Sequence, residues 1–277
     1  MTWTETEKLG GLAVITGGAS GVGLAAAELL AARGFDLLIA DRNTDSLNHA
    51  AESLRTAGAQ VQTAEVDVAD ADAVEALADR AFDTGPVAVL MNNAGMARPT
   101  STTTAPDEWR QIFDVNFYGV LNGVHSFVPR MTQAGRPATV INTGSKQGIT
   151  TPPGNPAYNV SKAAVRVLTE QLAHELREAG SPVSTHLFVP GFTYTGMIAA
   201  FMPEKPAAAW TSEECVEYLF MRVANGDFYV LCPDNDVTEA KDARRVLWSA
   251  GDIAENRPAL SRWHPDWKDA FSAFESG

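Results

Sequence analysis

Short apolar runs alternate with longer amphipathic stretches along most of the chain. The first two runs, 12–16 and 36–40, are rich in leucine, isoleucine and valine, as buried β-strands are. Runs of the same character predict further strands at 60–66, 87–91, 138–143, 183–189 and 228–232. The stretches between them predict helices at 22–33, 43–57, 70–83, 106–133 and 156–179.

The alternation of strands with helices of this length is typical of right-handed β-α-β units, which build a parallel sheet covered on both faces. Ligands of such a sheet bind beyond the carboxyl ends of its strands. The residues that follow the predicted strands are glycines, polar residues and a proline: Gly17, Asp41, Asp67, Asn93, Ser145 and Pro190. We expect these residues to lie along one edge of the sheet and to form a single binding site.

The composition fits a single globular domain over residues 1–277. A hydrophobic fraction of 45% can fill a sizeable core, and no repeat or break in composition divides the chain. The 34 acidic and 21 basic residues leave a net charge of −13. This charge argues against a nucleic-acid partner, because a phosphate backbone needs a basic face.

The N-terminus and the cysteines indicate the compartment. The first residues are acidic where a signal peptide would be basic, and no apolar stretch approaches the roughly 18 residues of a membrane span. Cys215 and Cys232 form no metal-ligand cluster, so we expect no metal site. Two free thiols in a reducing cytoplasm are the simplest interpretation.

A glycine-rich loop lies between the first predicted strand and the first predicted helix. Gly17, Gly21 and Gly23 have the spacing Gly-x3-Gly-x-Gly. Glycines let the backbone approach a pyrophosphate, and the helix N-terminus offers unpaired N–H groups and a positive dipole end. The spacing departs from the standard Gly-x-Gly-x-x-Gly fingerprint. By itself the loop is therefore compatible with a nucleotide site or with an ordinary β-α turn.

Asp41 ends the second predicted strand and bears on the choice of cofactor. A carboxylate at this position can accept hydrogen bonds from an adenosine ribose diol and would repel a 2′-phosphate. The alternative is a turn residue, which is common after a strand. Arg42 follows and can reach a 2′-phosphate instead. The sequence therefore favours NAD(H), with NADP(H) as the alternative.

The segment from Ser145 to Lys162 carries the candidate proton-transfer groups. Tyr158 and Lys162 are four residues apart on a predicted helix, so their side chains share one face. A nearby ammonium favours the phenolate and is expected to lower the tyrosine pKa from about 10. A hydroxyl such as that of Ser145 could hold a substrate oxygen against the phenol. Taken alone, most pairs with this spacing are amphipathic side chains at a surface.

Together these motifs resemble the short-chain dehydrogenase/reductase family over residues 10–232. The matching positions are Thr16 to Gly23, Asp41, Asp67-Val68, Asn92 to Gly95, Pro190-Gly191 with Thr193 and Thr195, and a tetrad of Asn116, Ser145, Tyr158 and Lys162. The resemblance implies an α/β, doubly wound Rossmann fold. It would have about seven parallel strands in the order 3-2-1-4-5-6-7, with helices on both faces.

The resemblance also implies roles. Tyr158 would be the general acid/base, Ser145 would orient the reacting oxygen, and Lys162 would lower the tyrosine pKa and bind the nicotinamide ribose. Asn116 would hold a water that links Lys162 to solvent. The implied cofactor-binding residues are Gly17, Ser20, Gly21, Val22, Gly23, Asp41, Arg42, Asp67, Val68, Asn93, Ala94, Gly95, Tyr158, Lys162, Pro190, Gly191, Thr193 and Thr195.

Departures from the family pattern bear on the substrate. Lys146 and Gln147 follow the catalytic serine, where small or apolar residues are more usual, and Asn155 lies three residues before the tyrosine. These three polar residues could contact the substrate. The alternative is that they are loop residues exposed to water. The stretch at about 193–215 corresponds to the family's mobile substrate lid, and its apolar residues suit an aromatic or alicyclic substrate. The alternative is an amphipathic helix packed on the domain. The expected substrate-pocket residues are Gln147, Asn155, Phe192, Met197 and Phe201.

The C-terminal tail, at about 233–277, is the least family-like part. It carries large aromatic residues among many charges, so we expect it to pack on its own domain or on a neighbouring subunit. The family usually assembles through the helices that correspond to 106–133 and 156–179. A homodimer or homotetramer is therefore expected.

The function that these features indicate is hydride transfer between a nicotinamide cofactor and a secondary alcohol or its ketone. A 3-ketoacyl-type reductase is an alternative, although an acidic acyl carrier would be repelled by a chain of net charge −13. A non-catalytic dinucleotide-binding regulator is a third possibility. The complete tetrad argues against a regulator, because a sensor does not need Tyr158.

Overall fold

A parallel sheet forms the centre of the molecule. The computed structural model describes residues 3–199 and 202–276. The strands are β1 (Leu12–Thr16), β2 (Asp36–Asp41), β3 (Val61–Glu65), β4 (Val87–Asn92), β5 (Ala138–Thr143), β6 (Val183–Val189) and β7 (Tyr229–Leu231). These seven strands pair in parallel in the order 3-2-1-4-5-6-7. The predicted fold class and strand order are confirmed.

Helices cover both faces of this sheet. They are α1 (Trp3–Leu9), α2 (Gly21–Ala32), α3 (Thr44–Thr56), α4 (Ala71–Thr84), α5 (Pro106–Phe113), α6 (Gly119–Gln133), α7 (Gln147–Thr150), α8 (Pro156–Glu178), α9 (Gly196–Ala199), α10 (Ser212–Ala224), α11 (Glu239–Ala254) and α12 (Lys268–Ser276). None of the helices in the described ranges has the length and apolar character needed to cross a bilayer.

The first strand shows why the predicted strands read as continuous apolar runs. Ala13 and Ile15 face the core beneath α2, α3 and α10, whereas Leu12 and Val14 face the core beneath α4, α6 and α8. Successive strand residues point to opposite faces, and both faces are buried here. No position of β1 is therefore left for a solvated side chain.

The register aligns the strand ends on which the site depends. Thr16 at the end of β1 pairs with Ala40 of β2 on one side and with Asn92 of β4 on the other. Thr143 at the end of β5 pairs with Phe188 of β6. The loops that leave these strands therefore start at nearly the same level, along one edge of the sheet.

The structure contains helices outside the five predicted stretches, such as α7, α11 and α12, and one predicted helix is interrupted. The helix predicted over 106–133 contains a π-helical turn, Asp114–Tyr118, between α5 and α6. The short helix α1 was not predicted, because its seven residues carry little periodic signal. Contacts with distant residues stabilise α1: the Trp3 ring lies 5.8 Å from Phe35 and 5.0 Å from Phe220.

The C-terminal tail folds into α11, two 3-10 turns and α12. Its aromatic residues pack around Trp248, whose ring lies 5.3 Å from both Phe271 and Phe274. The Arg257 guanidinium lies 4.1 Å from the centre of the Trp248 ring. Helix α11 also packs against α7, the short helix that follows Ser145. The tail is thus a small aromatic cluster placed beside the predicted site.

Candidate active site

A cavity of about 630 Å³ opens at the carboxyl ends of the strands. This volume is in the range of small-molecule and cofactor sites. It is lined by most of the residues that the sequence predicts for the site: Gly17, Ser20, Gly21, Val22, Asp41, Arg42, Asp67, Val68, Asn93, Ala94, Gly95, Ser145, Gln147, Asn155, Tyr158, Lys162, Pro190, Gly191, Phe192, Thr193 and Thr195. Gly23 and Asn116 lie behind this wall.

The glycine loop has a shape that only glycine allows. Gly17 and Gly21 have φ angles of +64° and +52°, in the left-handed region. A Cβ at Gly23 would lie 2.1 Å from the Gly17 carbonyl oxygen, so Gly23 serves the close packing of α2 on the loop. Ser20 precedes α2 and its side chain caps none of the first-turn N–H groups. These groups are left for a phosphate, so the loop fits a pyrophosphate.

Two carboxylates follow β2 and β3 at the far end of the cavity. One oxygen of Asp41 accepts a hydrogen bond from the Asn43 amide at 3.1 Å, and one oxygen of Asp67 accepts from the Ala69 amide at 3.0 Å. Each carboxylate therefore orders its own turn and also lines the cavity. The expected turn role and the expected ligand-binding position of Asp41 are compatible with each other.

Asn93 joins three strand ends. Its amide nitrogen donates to the Gly17 carbonyl at 3.3 Å, and its amide oxygen accepts from the Thr143 hydroxyl at 3.4 Å. The Thr16 hydroxyl accepts from the backbone N–H groups of Asn93 and Ala94, at 3.0 and 3.2 Å. These bonds hold the glycine loop in register with β4 and β5, so the Asn93 side chain shapes the cavity.

The loop after β6 closes the opposite wall. The Thr193 hydroxyl is buried and donates to the Gly191 carbonyl at 3.3 Å. Thr195 lies over the glycine loop, where a Cβ at Gly21 would meet its side chain at 3.3 Å. The two walls that the sequence predicts for a dinucleotide are therefore adjacent in space.

Tyr158, Lys162 and Ser145 converge in the cavity. Tyr158 and Lys162 lie on α8, as expected, and the ammonium nitrogen is 5.9 Å from the centre of the phenol ring. The Lys162 ammonium is buried and donates to the Thr143 carbonyl at 2.8 Å. The Ser145 hydroxyl hydrogen-bonds the phenol and accepts a hydrogen bond from the backbone N–H of Gln147 at 3.2 Å. These two hydrogen bonds fix the direction of the Ser145 hydroxyl.

Burial, rather than charge, dominates the protonation of this site. It raises the pKa of the Tyr158 phenol above its usual value, and the hydrogen bond from Ser145 partly opposes the rise. Burial lowers the pKa of Lys162 to about 8. The sequence led us to expect that Lys162 would lower the tyrosine pKa. In this structure the ammonium is directed to Thr143, and loss of water around the phenol has the larger effect.

Asn116 lies on the π-helical turn and is fully buried. Its side chain accepts from the Met96 amide at 2.8 Å and donates to the Met96 carbonyl at 2.9 Å. A Cβ at Gly95 would lie 3.4 Å from the Asn116 oxygen and 3.6 Å from the Lys162 nitrogen. The space between these two groups is therefore open because residue 95 has no side chain. The extra residue of a π turn directs Asn116 to this point.

The expected substrate side of the cavity is only partly as predicted. Gln147, Asn155 and Phe192 line it, and the Asn155 oxygen accepts from the Thr100 hydroxyl at 2.8 Å. Met197 lies on α9, although its side chain is not described, and Phe201 is outside the described residues. A β-bridge between Thr193 and Trp210 brings together two distant positions of the stretch at 193–215.

Asp234 is a cavity residue that the sequence analysis missed. It follows the end of β7 and lies next to Lys146, whose ammonium approaches its carboxylate at 3.5 Å. Ligands bind beyond the carboxyl ends of parallel strands, and this holds for β7 as for the other strands. Asp234, two residues after the predicted end of β7, could have been predicted in the same way.

The described part of the chain contains no group of three or more His, Cys, Asp or Glu residues placed to hold a metal ion. Both cysteines in this part are buried free thiols. The polar groups that line the cavity are N–H groups, hydroxyls, amides, carboxylates, a guanidinium and ammonium groups, and such a set can bind the phosphates and ribose hydroxyls of an organic cofactor.

Comparison with known proteins agrees with this geometry. The family model described as short chain dehydrogenase matches residues 11–206. The chain is 31% identical over 258 residues to the 1-deoxy-11-beta-hydroxypentalenate dehydrogenase of Streptomyces exfoliatus, covering 91% of this chain and 93% of that protein. It is 33% identical over 200 residues to the NADP-dependent (R)-specific alcohol dehydrogenase of Lentilactobacillus kefiri, covering 70% and 77% respectively.

A solved structure has the same architecture. The short-chain dehydrogenase/reductase from Burkholderia phymatum in complex with NAD superposes with a TM-score of 0.82 at 32% sequence identity. The match covers 90% of this chain and 95% of that chain. The similarity therefore extends beyond the glycine loop to nearly the whole molecule.

The buried ammonium predicts a pH-dependent contribution to stability. The pKa of Lys162 is 10.5 in the unfolded chain and about 8 in the folded protein. Between these values the unfolded chain binds more protons, so the wild type gains free energy of unfolding as the pH rises. Relative to Lys162→Met, we expect a gain of up to about 3 kcal/mol. Urea unfolding of both proteins at several pH values measures this gain. A difference in free energy of unfolding that does not change with pH would contradict the prediction.

Proposed function

The chain belongs to the short-chain dehydrogenase family, whose members are NAD(P)-dependent oxidoreductases, and from this premise we propose that it interconverts a secondary alcohol and its ketone with NAD(H). The observation that carries the proposal is the phenol of Tyr158 in the cavity, hydrogen-bonded to Ser145. A phenol held in the cavity within reach of a substrate oxygen can act as a general acid/base, whereas a protein that only binds a dinucleotide does not need one there.

The proposed cofactor site follows the lining of the cavity. The first-turn N–H groups of α2 would bind the pyrophosphate, and Asp41 would bind the adenosine ribose. Asp67 and Val68 would contact the adenine. Lys162 would bind the nicotinamide ribose. The loop from Pro190 to Thr195 would hold the nicotinamide. The bound nicotinamide supplies the hydride donor or acceptor.

The side chains of this chain supply the proton and the orientation. As the phenolate, Tyr158 takes the hydroxyl proton of an alcohol onto its oxygen; as the neutral phenol, it gives a proton to the carbonyl oxygen when a ketone is reduced. Ser145 donates a hydrogen bond to the reacting oxygen, since the backbone N–H of Gln147 keeps the Ser145 hydroxyl directed into the cavity. Lys162 and Asn116 flank the open space beside Gly95, through which a proton can pass from Tyr158 to solvent.

A preference for NAD(H) is proposed from the second strand. The Asp41 carboxylate lines the cavity where the adenosine ribose would lie, and a carboxylate repels a 2′-phosphate. The similar structure from Burkholderia phymatum contains NAD, whereas the alcohol dehydrogenase of Lentilactobacillus kefiri is named as NADP-dependent. Arg42 lines the same end of the cavity and is the residue that an NADP(H) preference would use.

The proposed substrate is an apolar alcohol, aromatic or alicyclic. Phe192, Ile198, Met96 and Ala97 give the cavity apolar lining, and Gln147 also lines it. The related pentalenate enzyme acts, by its name, on a hydroxylated pentalenate. We propose that residues 193–215 are the lid over this substrate. An acyl-carrier substrate is less suitable, because the carrier and this chain are both acidic.

We further propose a single catalytic domain that works in the cytoplasm as a homodimer or homotetramer. The two buried free thiols are consistent with a reducing compartment. Tyr118, Val160 and Val167 leave between 45% and 48% of their surface exposed on the two helices expected at the interface. Exposed apolar side chains of this size suit an association surface.

Replacing the phenol tests the proposed catalytic role. Tyr158→Phe removes the proton carrier but keeps the ring, so turnover of an accepted alcohol should fall at least about a hundredfold. NADH binding, measured by fluorescence titration, should change little. Tyr218→Phe is the matched control, because its hydroxyl bonds Glu239 away from the cavity. Near-normal rates in Tyr158→Phe would remove this residue from the mechanism.

The raised tyrosine pKa predicts opposite pH profiles for the two directions. Alcohol oxidation needs the phenolate, so its kcat/KM should rise with pH across the neutral range. Ketone reduction needs the protonated phenol and should be flat at neutral pH and fall at alkaline pH. Initial rates in both directions, in one buffer series, give the profiles. Parallel profiles would contradict the assignment of one group to both steps.

Cofactor choice is tested at the end of β2. Asp41→Ala removes an acceptor for two ribose hydroxyls, so kcat/KM with NAD should fall at least about tenfold. The same change should improve the ratio of NADP to NAD activity, since the repelling charge is lost. Asp36→Ala, at the opposite end of the same strand, is the control and should change neither value. A wild type that already prefers NADP would show that Arg42 decides the choice.

A further inference from the structure

Lys146, the residue directly after Ser145, forms ion pairs with the C-terminal tail. Its ammonium nitrogen lies 2.6 Å from a carboxylate oxygen of Asp242 and 3.5 Å from one of Asp234. The side chains of the three residues are 20%, 7% and 6% exposed, respectively. Both carboxylates lie outside the 11–206 segment that the family model matches. This cluster therefore links the cavity wall, at Lys146 and Asp234, to a part of the chain that the family model does not match.

Asp234 connects the cluster to the nicotinamide-side loop. One of its oxygens accepts from the Phe192 amide at 3.3 Å. The other accepts from the amides of Asp236 and Val237, at 3.1 and 2.8 Å. The carboxylate thus fixes the turn after β7 and the start of the loop after β6 at the same time.

Asp242 connects the cluster to α11. It lies in the first turn of this helix and is one of two buried residues on it, with Trp248. Burial raises the pKa of the Asp242 carboxyl, and the Lys146 ammonium opposes the rise. One ammonium thus lies between two largely buried carboxylates. Losing it would leave Asp234 without its ion partner and Asp242 with only the weaker influence of Arg245, which is unfavourable for largely buried carboxylates.

Lys146 is also close to the groups that direct the catalytic hydroxyl. It lies between Ser145 and Gln147 in the chain, and the Gln147 amide holds the Ser145 hydroxyl at 3.2 Å. The Lys146 carbonyl accepts from the Thr150 amide and begins α7, which packs on α11. A shift of Lys146 toward or away from α11 would therefore move Ser145 with it.

We propose that Lys146, Asp242 and Asp234 form a positioning cluster through which the C-terminal tail sets the place of the Ser145 hydroxyl and of the loop at Phe192. The inference rests on the proposed function for its effect on rate. Ser145 acts in the transition state, where small displacements are costly: a shift of about 1 Å can lower a rate about a hundredfold. Loss of the cluster should therefore lower kcat more than it changes KM or cofactor affinity.

The test compares three single variants with the double variant Lys146→Met/Asp242→Asn, each in the whole chain. Asp242→Asn keeps the shape and removes the charge, and Lys146→Met removes the ammonium. We expect kcat to fall about tenfold or more in both, with KM and NADH affinity within about twofold of wild type. Lys146→Arg keeps the cation and should recover at least about a third of the wild-type kcat. Because the pair acts as a unit, the double variant should be little worse than Lys146→Met.

The control is an ion pair of similar exposure inside the tail. The Arg245 and Glu275 side chains, 2.6 Å apart, are 19% and 21% exposed. Glu275→Gln breaks this pair without touching Ser145 or Phe192, and it keeps the Arg245 charge that favours the Asp242 carboxylate. It should lower the melting temperature about as much as Asp242→Asn and leave kcat unchanged. An equal loss of kcat in Glu275→Gln would show that general destabilisation of the tail is the cause, and would overturn the proposal.

Hydrogen exchange separates this proposal from the proposed function. In protein without substrate, Asp242→Asn and Lys146→Met should speed amide exchange in 144–150 and 191–196, whereas Glu275→Gln should speed it in the tail alone. Unchanged exchange in both segments, or kcat values within twofold of wild type, would overturn the positioning role. If the wild type turns over no alcohol, the proposed function fails, and the exchange comparison decides the positioning role alone.

Discussion

Parallel pairing is the constraint on which the rest of this structure depends. It forces every strand to end on the same side, and the register of β1 with β2 and β4 brings those ends to one level. The loops that follow inevitably meet there. Partly buried hydrogen bonds such as those of Asn93 to the Gly17 carbonyl and the Thr143 hydroxyl then join the strand ends into one continuous wall. The cavity is a consequence of sheet topology before it is a consequence of any motif.

Within that cavity the chain accepts the cost of burying ionisable groups. Lys162 keeps its ammonium in an almost water-free position with the Thr143 carbonyl as a partner, and its pKa falls to about 8. The phenol of Tyr158 is pushed in the opposite direction, toward the protonated form. Perturbed groups of this kind concentrate at functional sites, because the same burial that costs stability makes proton transfer controllable.

The site is not confined to the family segment. Asp234 and Asp242 come from the tail, yet they contact the residue next to Ser145. Their partner lies roughly ninety residues earlier in the chain, and α11 packs on α7 at the same place. A tail with its own aromatic cluster around Trp248 thus becomes part of the wall around the reacting groups. Variation in such a tail can change the site while the tetrad stays the same.

The sequence alone determined the strands and their parallel, doubly covered sheet, because buried parallel strands leave continuous apolar runs such as Leu12–Thr16 and glycines mark the turn that follows. The strand order came from the resemblance to the family. The sequence also determined which residues gather at the edge, since each directly follows a strand. Only the tertiary structure decided the partners of Lys146, the π turn that directs Asn116 and the helix α1. These depend on contacts between residues far apart in the chain, and a charge or a tryptophan gives no local sign of which distant residue it will meet.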